Sequence, residues 1–394
     1  MHKPPLGKTA DNPRSKGIKM GLTLFLTGFV AICGIIQWVG VGLALSALGR
    51  KPAGGPLVLP PVSVLRPICG IENFLAETLD STFHADYPTY EVIFCAAQAD
   101  DPAVALVQSL MARYPNVPAR VLTGDDKISG NPKLNNLVKG WNAARYDYVL
   151  MSDSNVILPP DALRRCIAEF TPQTGLVSSP PIGIRPDGFW ARVECAFLNS
   201  FQARWQMAAS RLGQGYAQGK MLFWDRRVLE TAGGIAVLGR EMAEDVASTK
   251  TVRAQGKVVR LPGRFFAQPI GARNRRGVWG RQVRWAKVRR LGFLTLFLPE
   301  LLAGAALPFA AMLALVAMGA PIWALPVFLA LWYAPEYLLA TAGDWPRAPA
   351  DLAAWITRDA LLPALWIAAW GGNSFEWRGN AMTAAEVAAH KDKP

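Results

Sequence analysis

The sequence predicts an α/β domain with a mostly parallel central sheet, joined to a membrane by apolar helices at both of its ends. Two long apolar regions, residues 20–48 and 291–371, flank a segment that carries most of the charge. Within that segment, short apolar runs alternate with longer amphipathic stretches. Strands that alternate with helices of about 10 to 15 residues indicate βαβ units, and such units form parallel sheets.

The first apolar region predicts a transmembrane helix over residues 20–48, preceded by a basic tail over residues 1–19. No charged residue occurs in 20–48, and about 20 apolar residues are enough for a helix to cross a bilayer. A cleaved signal peptide is the alternative. Its apolar core would be only about 7 to 15 residues long and a small-residue cleavage site should follow, whereas Arg50 and Lys51 follow here.

The central segment, residues 51–290, shows the alternating pattern directly. Strands are predicted at 61–68, 90–97, 119–124 and 148–151, and helices at 74–83, 102–114 and 134–144. We therefore interpret 51–290 as one soluble domain that is tethered at both ends and holds the chemistry.

The second apolar region, residues 291–371, contains candidate spans near 301–318, 322–340 and 352–370, and a tail follows over 372–394. Residues 271–290, just before it, contain eight Arg or Lys and no acidic residue. The net charge of +13 could suggest nucleic acid, but a basic cluster beside an apolar run favours a juxtamembrane segment at the cytoplasmic face. We expect a multi-pass membrane protein with a cytosolic catalytic domain and no nucleic-acid partner.

Three composition features narrow the class of protein further. The chain has 28 Arg and 14 Lys, which is typical of a GC-rich bacterial genome and so suggests the bacterial inner membrane. Its five cysteines are widely spaced without a CxxC pair, so neither a disulfide framework nor a zinc site is indicated. The chain has only three histidines. If the domain is an enzyme, we therefore expect carboxylates to transfer its protons.

Carboxylates follow two of the predicted strands. Asp153 comes after the strand at 148–151, and Asp100 and Asp101 follow the strand at 90–97. Ligands of open parallel sheets bind beyond the carboxyl ends of the strands, where a carboxylate can hold a hard divalent cation that also contacts a diphosphate. Capping of the next helix is the alternative for Asp153 and for Asp101.

Two helix starts carry further candidates. Asn131 and Lys133 lie at the start of the helix at 134–144, where a lysine and amides favour an anionic ligand. Glu244 and Asp245 begin another predicted helix. Acidic residues there are ordinary compensation of the helix dipole, or one of them could act as a general base.

Together these segments resemble the ceramide glucosyltransferases, a membrane-bound family of GT-A glycosyltransferases. The similar stretches occur in the family's order and are "VSVLRPICGIENF", "DYPTYEVIFCAAQADDPA", "RYPNVPARVL", "NPKLNNL", "SDSNV", "GREMAEDVA" and "RQVRW". The last fits the family's (Q/R)xxRW pattern. A similar "QARW" at 202–205 precedes the motif of Glu244 and Asp245, and we interpret it as a decoy.

The resemblance implies a GT-A-type nucleotide-sugar-binding domain and a role for each matching residue. Asp100 and Asp101 would help bind the nucleotide, with Lys133 near them. Asp153 would bind the diphosphate of a UDP-sugar through Mg²⁺ or Mn²⁺. Asp245 would be the general base.

In the (Q/R)xxRW segment, the resemblance implies that Arg281 helps bind the donor, while Arg284 and Trp285 close over the diphosphate and the sugar or acceptor. Their spacing places all three on one face of a helix, with Arg289 and Arg290 one turn further on and expected at the lipid headgroups. Asn155 departs from the pattern, because a DxD-type site would have a second Asp there.

The implied reaction is an inverting transfer of a sugar, glucose by the resemblance, from a UDP-sugar to the primary hydroxyl of ceramide. A lipid acceptor stays in the bilayer, since each buried CH₂ is worth about 0.8 kcal/mol. The site is therefore expected at the interface, and residues 189–205 fit either an interfacial amphipathic helix or a core-facing one. Another lipid alcohol such as a hopanoid, a processive polysaccharide synthase and a non-catalytic membrane scaffold are the alternatives.

Overall fold

In the computed structural model, the described residues are 13–56, 58–377 and 380–383. Residues 13–19 of the predicted N-terminal tail belong to the first helix. The rest of that tail, and residues 384–394 of the predicted C-terminal tail, lie outside the described residues.

The strands of the described chain form one large sheet and two small ones. In chain order they are β1 (Val62–Ile68), β2 (Tyr90–Ala96), β3 (Ala119–Thr123), β4 (Tyr148–Ser152), β5 (Thr174–Ser178), β6 (Pro181–Asp187), β7 (Met221–Asp225), β8 (Val258–Arg260), β9 (Phe266–Ala272), β10 (Ser374–Trp377) and β11 (Asn380–Thr383).

The helices lie between these strands and on both sides of the domain. In chain order they are α1 (Pro13–Ala47), α2 (Leu75–Asp80), α3 (Pro102–Arg113), α4 (Pro132–Ala143), α5 (Ala162–Ile167), α6 (Phe189–Ala196), α7 (Arg204–Arg211), α8 (Arg226–Thr231), α9 (Glu244–Ala254), α10 (Arg275–Gly292), α11 (Leu294–Phe297), α12 (Ala306–Ala317), α13 (Ala324–Ala342) and α14 (Pro349–Ala368).

The central sheet has seven strands in the order β3-β2-β1-β4-β7-β5-β8. The pairs among β3, β2, β1 and β4 are parallel, and so is the pair of β5 with β8. Only β7 runs antiparallel to its neighbours β4 and β5. The predicted α/β class with a mostly parallel sheet is confirmed.

Helices cover both faces of the parallel strands. All seven residues of β2 are buried, and such continuous burial is typical of parallel strands between two helical layers. Phe94 faces one core together with Val107 of α3. Ile93 faces the other core together with Trp141 of α4.

Local signals position the helices that lead to the site. Helix α4 begins at Pro132, two residues before the predicted start, because the Asn131 side chain accepts hydrogen bonds from the amides of Lys133 (3.0 Å) and Leu134 (3.2 Å). An Asn cap followed by Pro at the first helical position is a strong start signal. Lys133 is thereby fixed in the first turn.

Among the described residues, three segments are long and apolar enough to cross a membrane: Lys16–Ala47, Leu294–Ala317 and Ala324–Ala342. The second contains a break, where α11 passes through a 3₁₀ turn (Leu298–Leu302) before α12 begins. The candidate span near 352–370 forms α14, but it is not one of the three and contains buried Arg358 and Asp359.

Helices α6 and α7 form one continuous helical segment, because a π-helical stretch (Phe197–Ala203) joins them. Phe197 and Phe201 are 1% and 3% exposed. They belong to the same apolar core as Val41 of α1 and Trp332 of α13. The apolar face of residues 189–205 is therefore covered by protein, which matches the core-facing alternative.

A buried ionic network joins the catalytic domain to the membrane-side helices. The Glu336 carboxylate of α13 accepts two hydrogen bonds of 3.0 Å from Arg358 of α14. It also accepts one of 2.9 Å from Gln37 of α1 and lies 3.6 Å from a guanidinium nitrogen of Arg204 on α7. One carboxylate thus connects four helices.

We predict that Glu336→Ala lowers the free energy of unfolding by about 3 to 5 kcal/mol, the usual cost of leaving a buried charge without its partner. Arg204 and Arg358 would both lose their shared carboxylate. Thermal unfolding in nanodiscs measures the effect, with the exposed neighbour Tyr337→Ala as control. Equal melting temperatures for the two variants would contradict this role.

Candidate active site

A cavity of about 1150 Å³ opens at the carboxyl ends of the first strands. Its polar end is lined by residues that follow β1, β2 and β4 and by the start of α9, including Ala97, Asp153 and Asp245. This is where ligands of open parallel sheets bind.

The opposite end of the same cavity is apolar and reaches the membrane-side helices. Ile36 of α1, Trp205 of α7 and the side chains of Leu296, Phe297 and Leu302 line it. Because α1 is a candidate membrane span, the cavity connects a charged site to the lipid side of the molecule.

Asp153, which follows β4, contacts two lysines. Lys133 Nζ lies 2.6 Å from one carboxylate oxygen and Lys220 Nζ lies 2.9 Å from the other. Burial alone would raise the pKa of Asp153, but the two ammonium groups outweigh burial and hold that pKa well below its usual range. Asp153 is therefore ionised throughout the physiological pH range.

The segment around Asp153 is fixed by Arg66, a fully buried residue of β1. Its guanidinium donates to Ser152 Oγ (3.2 Å) and to the carbonyl oxygens of Ser154 (3.3 Å) and Val156 (3.0 Å). The Ser152 hydroxyl before Asp153 and two backbone carbonyls after it are thus bound to a residue of the neighbouring strand, so the Asp153 carboxylate has a defined position.

Lys133 also contacts the second acidic group of the site. Its Nζ donates to Glu244 Oε1 at 2.7 Å and to the carbonyl oxygen of Gly219. The other Glu244 oxygen accepts from Asn131 Nδ2 at 2.7 Å. Burial would lower the pKa of Lys133, but the carboxylates of Asp153 and Glu244 raise it, so the ammonium group keeps its proton.

Asp245 differs from its neighbour Glu244 although both begin α9. Its carboxylate accepts from the amides of Gly219 (2.9 Å) and Val246 (2.8 Å), and it contacts no ammonium group within ion-pair distance among the described residues. Burial, and after it the negative charge of Glu244, raise the pKa of Asp245 to about 6. Of the two, Asp245 has the properties of a general base near neutral pH.

The (Q/R)xxRW segment lies in α10. Arg281, Arg284 and Trp285 all line the cavity, as their spacing on one helical face predicts. Arg281 forms an ion pair with the fully buried Glu194 of α6, and Trp285 packs against the small apolar cluster that contains Ile270. α10 is thereby held against the site.

Arg289 and Arg290, which are expected at the lipid headgroups, both contact groups of the protein. Arg289 lines the cavity and donates from Nε to Glu300 Oε1 at 2.7 Å. Arg290 donates to the carbonyl oxygen of Gly372 (3.2 Å) and to the Asn373 side chain. The last turn of α10 is packed beside α11 and against the chain after α14, so both guanidinium groups contact protein.

Asp100 and Asp101 are not part of the cavity wall, which is formed here by Ala97, Gln98 and Asp125. Asp101 caps α3 by accepting from the Ala103 amide at 2.8 Å, and Asp100 is exposed. The capping alternative therefore accounts for the position of Asp101. A role of either residue in nucleotide binding stays a prediction.

Sequence reasoning missed several residues of the site, among them Lys220, Tyr216, Trp205 and Glu300. Lys220 precedes β7 and reaches Asp153 only because β7 pairs with β4, a contact that no local pattern reveals. Trp205 lines the cavity although its motif was interpreted as a decoy. For Glu300 a signal existed, since it is an acidic residue inside an apolar run.

The donor set at Asp153 fits a cation that binds together with a phosphate ligand. No group of three His, Cys, Asp or Glu side chains in the described part of the chain is arranged as a metal site. Mg²⁺, however, needs only one or two carboxylates when substrate phosphates and water complete its shell. Asp153 supplies the carboxylate, and the Asn155 amide oxygen, 3.1 Å from Lys220 Nζ, is a second oxygen at the same strand end.

Comparison with known proteins gives one family for most of the chain. The model of "Glycosyl transferase family 21" matches residues 26–388. Ceramide glucosyltransferase 1 of Caenorhabditis elegans is 28% identical over 263 residues, which are 66% of this chain and 56% of that protein. Ceramide glucosyltransferase 3 of the same organism is 26% identical over 336 residues, 82% of this chain and 72% of that protein. The match thus spans little more than half the length of the first of these relatives.

The fold is similar to that of a solved glycosyltransferase. A mannosyltransferase of Pyrobaculum calidifontis, in complex with GDP-Man and Mn²⁺, superposes with a TM-score of 0.56 at 19% identity, covering 90% of this chain and 98% of that one. The likeness extends over the sheet and the flanking helices, and it supports the GT-A fold expected above.

Proposed function

Because the chain belongs to glycosyl transferase family 21, and is therefore a glycosyltransferase, we propose that it transfers glucose from UDP-glucose to the primary hydroxyl of ceramide with inversion at the sugar. One observation carries the proposal. A single cavity joins a base and several cationic groups at one end to an apolar wall that includes a membrane helix at the other.

The polar end suits a nucleoside diphosphate. Lys133 and Lys220 are ammonium donors there, and Arg284 brings a planar guanidinium of the kind that binds phosphate oxygens in pairs. We assign the nucleoside to the end next to β2, beside Gln98, with Asp100 and Asp101 on the loop that follows.

We assign a divalent cation, Mg²⁺ or Mn²⁺, to Asp153, with Asn155 as a neighbouring oxygen donor. When bound, the cation would neutralise part of the charge that develops on the diphosphate leaving group. Lys133 and Lys220 hold the Asp153 carboxylate ionised, and a bound cation would share this carboxylate with their two ammonium groups.

Asp245 is the group that accepts the proton. As the acceptor oxygen bonds to C1 of the sugar, the bond from C1 to the phosphate oxygen breaks, UDP leaves with the bonding electrons, and the hydroxyl proton passes to Asp245. Glu244 is bound to Lys133 and Asn131, so it positions these groups instead of competing for the proton. A single displacement inverts the configuration at C1 and needs no covalent enzyme intermediate.

The apolar end suits the lipid acceptor. Ile36, Phe297 and Leu302 would surround the hydrocarbon with apolar groups, as the bilayer does. Each CH₂ that is thereby kept out of water contributes about 0.8 kcal/mol. We place the catalytic domain on the cytosolic side of a bacterial inner membrane, where UDP-sugars are made. A polysaccharide acceptor would find few polar partners along this apolar wall.

The reaction is tested with the purified protein in nanodiscs, given UDP-glucose, UDP-galactose or UDP-glucuronate and either ceramide, a hopanoid alcohol or no lipid. We expect glucosylceramide, identified by mass spectrometry, as the main product. Transfer only to the hopanoid would show that the hopanoid, and not ceramide, is the acceptor. A sugar polymer formed without lipid would contradict the proposal.

A second prediction concerns pH. A general base must be ionised, so the transfer rate should fall as pH drops through about 6, the pKa of Asp245. Glu244→Gln should move this limb to lower pH, because it removes the negative charge that helps to raise that pKa. If the rate does not fall at low pH, or falls at the same pH in Glu244→Gln, a group other than Asp245 is the base.

The role of Asp245 in chemistry is separated from a role in folding by Asp245→Asn. We expect at least about a 10²-fold loss of turnover, the usual contribution of a general base, with UDP affinity and melting temperature close to the wild type. A variant that turns over at the wild-type rate would exclude Asp245 as the base.

A further prediction concerns the cation. Mg²⁺ should raise the affinity of the wild type for UDP, measured by calorimetry, and should not raise that of Asp153→Asn. The control is Asp147→Asn, at the exposed opposite end of β4, which should behave as the wild type. Full transfer activity in excess EDTA would contradict the assignment.

A further inference from the structure

An ion pair forms part of the cavity wall, although charged groups would not stabilise a bound hydrocarbon chain. Arg289 Nε on α10 lies 2.7 Å from Glu300 Oε1 on the 3₁₀ turn after α11, and both side chains line the cavity. They are partly accessible, at 30% and 20%, so a bound molecule can reach them. The pair belongs to the lining and not to the protein interior.

The pair shares one cavity with the base and with the apolar residues. Asp245, Tyr216, Arg289 and Glu300 all line that cavity. Leu302, on the same 3₁₀ turn as Glu300, belongs to the apolar end. A molecule whose hydroxyl reaches Asp245 and whose chain lies along Leu302 therefore passes the pair.

Glu300 lies in an otherwise uncharged segment. It is the only charged residue between Arg290 and Glu336. Taking a carboxylate and a guanidinium out of water costs several kcal/mol per ion before their attraction is counted. Such a pair within a lipid-facing cavity is better explained by polar groups that it binds than by the stability it adds.

We propose that Arg289 and Glu300 form a subsite for the polar head of the acceptor, and that they select a lipid alcohol whose reacting hydroxyl stands next to an amide. Glu300 accepts a hydrogen bond from the amide N–H. Arg289 has five N–H donors and uses Nε with Glu300, so the remaining ones can donate to the amide carbonyl. This inference rests on the proposed function and adds the chemistry by which the acceptor is recognised.

The subsite discriminates against an ester-linked lipid alcohol. A diacylglycerol has a primary hydroxyl and carbonyl acceptors, but it has no second donor for Glu300. A polar group that is left unpaired on binding typically costs about tenfold or more in affinity. We therefore expect the wild type to use ceramide at least about tenfold better than diacylglycerol, measured as kcat/KM.

The experiment compares ceramide with a 1,2-diacylglycerol of matched chain length, with UDP-glucose as donor and protein in nanodiscs. Glu300→Gln, which offers both a donor and an acceptor, should reduce the preference to within about threefold, mainly by lowering the KM for diacylglycerol, because the Gln amide can donate to an ester carbonyl. The KM for UDP-glucose should stay unchanged. Arg289→Gln should raise the ceramide KM, because it removes the guanidinium that binds the amide carbonyl.

The matched control is Arg290→Gln, because the Arg290 side chain contacts Gly372 and Asn373 and does not line the cavity among the described residues. Its lipid preference should equal that of the wild type. A wild-type preference in Glu300→Gln, or an equal loss of preference in Arg290→Gln, would overturn the inference.

Two further outcomes are distinguished in the same assay. If the wild type glucosylates neither lipid, the proposed function fails and the inference fails with it. If it uses both equally well, only the inference fails. Should Glu300→Gln melt too early to be assayed, the wild type is tested with N-methylated ceramide, in which a methyl group replaces the amide hydrogen. A loss of at least about tenfold supports the subsite, and equal use overturns it.

Discussion

The ammonium group of Lys133 holds the site together, because it contacts Asp153 after β4 and Glu244 at the start of α9. Three carboxylates of the same cavity, including Asp245, would otherwise repel one another in a place with little water to screen them. Its positive charge offsets part of the negative charge of the two carboxylates that it touches, and Lys220 adds a second ammonium group at Asp153. Burial and the remaining charge of Glu244 leave Asp245 with a pKa of about 6. The cap at Asn131 fixes where Lys133 stands, so a local helix signal determines the electrostatics of the whole centre.

Much of the fold could be predicted because its signals are local. The runs that became β1 to β4 are apolar and bounded by turn residues, and the start of α4 follows from Asn131 and Pro132. The site residues on α10 followed from the family's (Q/R)xxRW pattern, and helical spacing predicted only that they share one face. Asp153 and Asp245 required both a strand or helix end and the family resemblance, since capping explains a lone carboxylate equally well.

What escaped prediction depends on contacts between distant parts of the chain. β7 is antiparallel within a parallel sheet, and only its pairing with β4 brings Lys220 to Asp153. Arg289 was expected at headgroups because its own helix is basic, yet Glu300, eleven positions later, holds it in the cavity. Periodicity says which face of a helix is polar, and it does not say whether solvent, lipid or protein covers that face.

The membrane helices and the catalytic centre share residues that are neighbours in sequence. Arg204 belongs to the buried ionic network, and Trp205, the next residue, lines the cavity. Ile36 of α1 lines the same cavity one position before Gln37, which binds Glu336. Helix α1 therefore forms part of the reaction site in addition to anchoring the chain. A shortened, water-soluble version without α1 would lack a wall of its reaction chamber, and the opened chamber would admit bulk water as a rival nucleophile for the activated sugar.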